Sequence, residues 1–286
     1  MSVDHRSGTA DQAYLDLVKR CITNYPYRGA DADFEALDPF HGYDLAAGRW
    51  AVDRITIPFT LLRKDQLDLI ERLLVDCDRR DVPGDLIEAG VWRGGTVAFM
   101  RALTRIYDRF DRTVVAADSF AGIPLSTQFR HDLVNRWPDR WIATLDEVRG
   151  NIARLGLLDN GVQFLPGLFE DTLHRLAERR FALIRLDADA YDSTMTALDH
   201  LYPLVSPGGV VIIDDWHLVG CKLAVEAYRS QHGIDDPIVV TAGNAWWIKQ
   251  TGPDQTGEER EQTRRTDVSD CGHSMSAPIM ETRRHD

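Results

Sequence analysis

The apolar positions of this chain recur with two periods, and the changeover between them divides it. In "DQAYLDLVKRCITNY" the spacing predicts a helix with Tyr14, Leu17, Val18, Cys21 and Ile22 on one face. "RKDQLDLIERLLVDCDRR" repeats the pattern with Leu67, Ile70, Leu73, Leu74 and Cys77, and "DVPGD" stops it. Between them lies "YPYRGADADFEALDPFHGYDLAAGRW", whose mixed aromatics, acids, Pro and Gly suit a loop or lid. From residue 85 short apolar runs alternate with helical patterns. The runs are "DLIEAG", "TVVAADSF", "VQFLPG", "FALIRLD" and "GGVVIIDD". The helices are "GTVAFMRALTRIYDRF", "ATLDEVRGNIARLGL", "FEDTLHRLAERR", "DSTMTALDHLYPLV" and "CKLAVEAYRSQHGI". Two late runs, "IVVTA" and "AWWIK", are close enough to pair antiparallel at one edge. The series predicts an α/β fold with a doubly wound, mostly parallel sheet.

The flanks lack such periodicity. Residues 1–10 and 251–286 read as disordered, and what remains is one compact region with a distinct N-terminal part, residues 11–80, ahead of residues 81–250. No run of about 18 apolar residues occurs, so no membrane span is expected, and the polar N-terminus lacks an apolar signal core. A net charge of −12 argues against nucleic acid. Cys21, Cys77, Cys221 and Cys271 have no metal-binding spacing and read as reduced thiols of a cytoplasmic protein.

In a doubly wound sheet ligands bind beyond the carboxyl ends of the strands. The first strand ends "IEAGVWRGGTV", an E-x-G-x-x-x-G-G spacing of Glu88, Gly90, Gly94 and Gly95 that departs from the dinucleotide fingerprint. Asp118 closes the second strand, where an acid accepts hydrogen bonds from a ribose diol. Together they point to a nucleoside-bearing cofactor. After the third strand, Leu168 or Phe169 is placed to cover an adenine ring, while Glu170 and Asp171 also read as helix caps. The fourth strand ends in "LDADAYDS" and the fifth in Asp214 and Asp215. Neighbouring parallel strands would set Asp187 beside Asp214. Carboxylates that close repel unless a cation neutralises them, and an all-oxygen set selects Mg²⁺, Ca²⁺ or Mn²⁺ over zinc. Asp192 reads as a cap or solvated acid, His200 as structural, and His217 as either a base or a surface histidine.

These segments, with "YLDLVKRCITNYPY", "VVAADSFAGIP" and "IRLDADAYDSTMTALDHLYPLVSPGGVVIIDDW", resemble the macrocin O-methyltransferase family from about residue 14 to 250. The resemblance implies a Rossmann-like, seven-stranded class I methyltransferase that uses S-adenosylmethionine and Mg²⁺ to methylate a sugar hydroxyl of an antibiotic. It implies a small glycosylated substrate and no nucleic acid or membrane partner, and leaves a homo-oligomer open. It puts Glu88, Gly90, Gly94 and Gly95 along the methionine part of the cofactor, Asp118 on the ribose with Ser119 following, and Phe169, Glu170 and Asp171 on the adenine side. It makes Asp187, Asp214 and Asp215 the metal ligands. Asp187, as ligand and base, or His217 would take the hydroxyl proton. The lid and "VVTAGNAWWIK" depart from the family pattern. Rival readings are a catechol-type O-methyltransferase, a non-catalytic nucleotide-binding homologue, and an NAD-dependent oxidoreductase, which the glycine spacing disfavours.

Overall fold

The computed structural model describes residues 7–250 except 45, 46, 48, 108, 109 and 136–140. The tail expected to be disordered, with Cys271, lies outside the described residues, as do residues 1–6. Helix α1, Ser7–Ile22, starts within the stretch expected to lack structure. A short hairpin of β1, Tyr43–Asp44, and β2, Arg49–Trp50, interrupts the lid. Helix α2 covers Lys64–Arg79. Then follow β3 (Asp85–Ala89), α3 (Gly95–Tyr107), β4 (Val114–Asp118), α4 (Leu145–Arg154) and β5 (Val162–Pro166). Next come α5 (Phe169–Thr172), β6 (Phe181–Leu186), α6 (Tyr191–Leu201), β7 (Val205–Ile213) and α7 (Val219–Gln231). Strands β8, Val239–Thr241, and β9, Asn244–Ile248, close the series. No helix among the described residues is long and apolar enough to cross a membrane.

The seven-stranded sheet has the order β5-β4-β3-β6-β7-β9-β8. The first five strands are parallel, and β9 pairs antiparallel with both β7 and β8. The expected antiparallel edge is present, with Thr241 opposite Asn244 across Ala242 and Gly243. Both turn residues have positive φ, 56° and 81°, the geometry that matches a hairpin turn to strand twist. The chain leaves β3 outward through β4 and β5, then returns to lay β6 on the other side of β3. The switch point is therefore between β3 and β6, where a crevice opens at their carboxyl ends.

Because helices cover both faces, the central strands read as nearly unbroken apolar runs. One face packs Leu86, Val114, Leu183 and Ile212 against α1, α2, α3 and α4; the other packs Ile87, Val115, Ile184 and Val211 against α6 and α7. The helix expected over "FEDTLHRLAERR" is a single α turn. It tightens to a 3-10 segment over Leu173–Leu176, whose i, i+3 spacing buries both leucines.

The face assigned to α1 needs correction. Leu15, Val18 and Ile22 are buried, and Leu17 is 57% exposed. At 100° per residue Leu17 stands about 200° from Leu15. Lys19 belongs to the inner stripe although it is charged. Its Nζ meets Asp68 Oδ1 at 2.5 Å and Glu71 Oε2 at 2.6 Å on α2, so the ammonium is paired where it is buried. Leu15→Ala should lower unfolding stability by about 2–5 kcal/mol. Leu17→Ala should stay within about 0.5 kcal/mol of the parent. Urea titrations of both variants check this, and equal losses would restore the sequence-based face.

Candidate active site

The sheet register brings charge to its own centre. Glu88 on β3 lies opposite Arg185 on β6, and each is 1% exposed. Arg185 Nη1 donates to Glu88 Oε1 and, at 3.0 Å, to Asp187 Oδ2. Its Nη2 lies 2.8 Å from Asp214 Oδ1. Alternation along β6 and β7 points Arg185, Asp187 and Asp214 to the same side. The positive charge that the acidic strand ends require is thus partly intrinsic. The sequence reading missed it: a lone arginine inside "FALIRL" is the signal that was available.

Asp187, Asp214 and Asp215 each offer an oxygen, and these atoms lie within 4.8 Å of one another. The Asp189 N–H donates to Asp215 Oδ2 at 3.0 Å, from a residue held at φ 56°. Burial, and then the neighbouring Asp214 charge, push Asp187 up to about 6. Burial first, then neighbouring carboxylates, also raise Asp189 and Asp215 well above the usual range. Burial raises Glu88 as well, against the pull of Arg185. One guanidinium does not neutralise this set. The all-carboxylate donor set and its remaining excess charge fit a hard divalent cation.

A cavity of about 860 Å³ opens over these groups. Glu88, Gly90, Asp118, Ser119, Phe169, Glu170, Asp187, Asp214, Asp215 and His217 all line it. Gly94, Gly95 and Asp171 do not line it. A Cβ on Gly94 would meet Val148 at 2.7 Å, and one on Gly95 the Phe59 backbone at 2.6 Å. On their Cβ side those glycines make room for α4 and for the loop ahead of α2. Gly90, with φ +93°, lies so close to β6 that a Cβ would come 1.7 Å from the Asp187 carbonyl oxygen. Asp118 braces the same turn. Its Oδ2 accepts from the N–H of Val91 at 2.6 Å and Trp92 at 3.1 Å, and Oδ1 from that of Phe120 at 2.7 Å. The Ser119 hydroxyl lies 3.4 Å from Oδ1 as well, so most of the carboxylate's lone-pair directions are taken by its own turn.

Several lining residues were not singled out from the sequence. Rings of Phe40 and Tyr43 from the lid meet Trp141, which lies edge-on to Trp92 of the glycine turn, and Trp50 backs this cluster from outside the lining. Tyr43 and Trp141 stack at 4.9 Å. Residues that cluster only when distant loops meet leave no periodic trace. Asp192 is not a cap of its own helix: its carboxylate accepts from the Thr127 N–H and hydroxyl and from the Gln128 N–H, fastening that loop beside the cavity. His217 is exposed at the cavity rim, and His200 is half-buried away from it.

A mixed sheet wound in this order, with a glycine turn after its first strand, an acid at the end of the next strand and an acidic cluster at the switch point, is that of a Rossmann-like class I methyltransferase. The family model for macrocin-O-methyltransferase (TylF) matches residues 40–250, and the chain belongs to that family. It is 39% identical over 239 residues to the mycinamicin III 3''-O-methyltransferase of Micromonospora griseorubida, covering 81% of this chain and 93% of the relative. It is also 39% identical over 249 residues to the 8-demethyl-8-(2,3-dimethoxy-alpha-L-rhamnosyl)-tetracenomycin-C 4'-O-methyltransferase of Streptomyces olivaceus, covering 85% and 94%. Among solved structures, the O-methyltransferase NovP superposes with a TM-score of 0.72 at 34% identity, over 84% of this chain and 100% of that one. The protein is an S-adenosylmethionine-dependent O-methyltransferase.

The raised Asp187 carboxyl has a consequence for stability. Between about pH 4 and 6 the folded chain keeps a proton that the unfolded chain has released, so ionisation at this position costs stability and the cost is complete above about pH 6. In EDTA, the melting temperature of Asp187→Asn relative to the parent should therefore climb as pH rises from about 4 to about 6 and level off above that. Differential scanning fluorimetry reads it; a difference independent of pH would contradict the assignment.

Proposed function

We propose that this enzyme transfers a methyl group from S-adenosylmethionine to a sugar hydroxyl of a glycosylated natural product, with a divalent cation, Mg²⁺ by choice, on Asp187, Asp214 and Asp215. The observation that carries the reading is the three-aspartate cluster in the floor of the cavity that also holds Glu88, Gly90 and Asp118. The bound groups supply an electrophilic sulfonium methyl and a Lewis acid that lowers the acceptor hydroxyl's pKa.

The chain's own residues do the rest. Gly90 lets the cofactor approach the crevice, Asp118 and Ser119 face the ribose, and Phe169 and Glu170 face the adenine. As the acceptor oxygen bonds to the methyl carbon, the sulfur–methyl bond would break to leave S-adenosylhomocysteine, and Asp187 would take the hydroxyl proton. His217, exposed at the rim, is the alternative base. The aromatic lid rings exclude water and offer apolar faces to a deoxysugar and its aglycone.

The lining charges favour a finished glycoside over a nucleoside diphosphate sugar. Arg63 is the only lysine or arginine among the described lining residues, and its guanidinium already meets Asp65 and the Ala242 carbonyl. A diphosphate would face carboxylates instead. The relatives named above act on sugars carried by mycinamicin III and a tetracenomycin.

With glycosylated acceptors and labelled S-adenosylmethionine, EDTA should abolish turnover and Mg²⁺ should restore it. Asp215→Asn should lower kcat at least about 100-fold while the circular dichroism spectrum is unchanged. Turnover indifferent to EDTA would remove the metal from the mechanism.

A further inference from the structure

The hydrogen bonds behind Asp214 form a chain with a direction. Asn244, the first residue of β9, is 2% exposed. Its Nδ2 donates to Asp214 Oδ1 at 2.6 Å and to the Asp214 carbonyl at 3.3 Å. Its Oδ1 accepts from Gln66 Nε2 at 3.3 Å. Gln66 Oε1 in turn accepts from the Arg63 N–H at 3.0 Å, the capping contact at the start of α2. A backbone N–H only donates and a carboxylate only accepts, so each amide has one orientation that serves both of its neighbours. Reversing either would set carbonyl oxygen against oxygen. Arg63 Nη2 also donates to the Ala242 carbonyl at 2.7 Å, which ties the β8–β9 turn to the same helix start.

This chain ends on a single metal-site carboxylate. Arg185 divides its charge among Glu88, Asp187 and Asp214, so it does not fix any one of them. The Asn244 side-chain amide serves Asp214 alone among the three aspartates. With Oδ1 held from two sides, the plane of the Asp214 carboxylate is set and its other oxygen is left to a cation. We infer that Asn244, oriented by Gln66, is a positioning residue for Asp214 that sets the affinity of the aspartate cluster for a divalent cation. The inference rests on the metal reading of the cluster.

The test is Mn²⁺ binding to the full chain without cofactor, followed by electron paramagnetic resonance of the free ion. S-adenosylhomocysteine binding is measured in parallel by calorimetry. Asn244→Leu should weaken Mn²⁺ binding about tenfold, the usual effect of losing an outer partner of a metal ligand. Its affinity for S-adenosylhomocysteine should stay within about twofold of the parent. Gln66→Met, which breaks the chain one link further out, should shift Mn²⁺ in the same direction by less, and it decides the matter alone if Asn244→Leu does not fold. Unchanged Mn²⁺ affinity, or equal loss of Mn²⁺ and S-adenosylhomocysteine, would overturn the inference and leave the metal reading standing. Absence of Mn²⁺ binding by the parent protein would overturn both.

Discussion

The buried guanidinium of Arg185 is the interaction on which the centre of this molecule depends. It lies at the switch point of the sheet, between the parallel neighbours β3 and β6, and it touches Glu88, Asp187 and Asp214. Without it, carboxylates from β3, β6 and the end of β7 would share a low-dielectric volume with no intrinsic counter-charge, which costs several kcal/mol for each uncompensated ion. With it, the group is only partly neutralised. The remaining negative charge makes the crevice electrostatically attractive to cations.

Function follows from where this arrangement sits. The crevice at the carboxyl ends of β3 and β6 is the place in a doubly wound sheet where backbone and ligand can approach closely. Gly90 has no side chain because the β6 backbone occupies that space, and Asp118 holds the turn through its own backbone amides. The same residues that close the turn therefore also shape the cofactor's side of the cavity. The lid brings aromatic rings over the other side. An O-methyltransferase needs both halves at once: an electrophile held in line and a hydroxyl kept from bulk water.

The ion pairs of the N-terminal helices fasten together the two elements that flank the lid. Lys19 on α1 is paired with α2, and α2 begins at the capping contact between Gln66 and Arg63. The cap leads on through Asn244 to Asp214. Elements far apart in sequence thereby bear on one carboxylate.

How much of this was legible beforehand depends on whether a residue acts through local pattern or through distant contact. Strand and helix order, the parallel sheet, the antiparallel edge and the acids at strand ends follow from period and spacing, which are properties of neighbouring residues. The family resemblance rests on the same local motifs. Leu17 was placed wrongly because several stripes fit one short helix, and only the partner α2, with acids awaiting Lys19, selects among them. At Gly94 and Gly95 the sequence shows that a side chain is missing but not that Val148 and the Phe59 backbone fill the space. Arg185, Asn244 and the ring cluster of Tyr43, Trp92 and Trp141 carry no periodic signal at all. The sequence by itself determined the winding of the sheet and the acidic composition of its carboxyl edge, because both are written in short-range pattern. Tertiary structure alone decided which charge offsets those acids, which glycines face the cavity and which amide orients Asp214, because each depends on groups that meet only when strands remote in the chain are brought side by side.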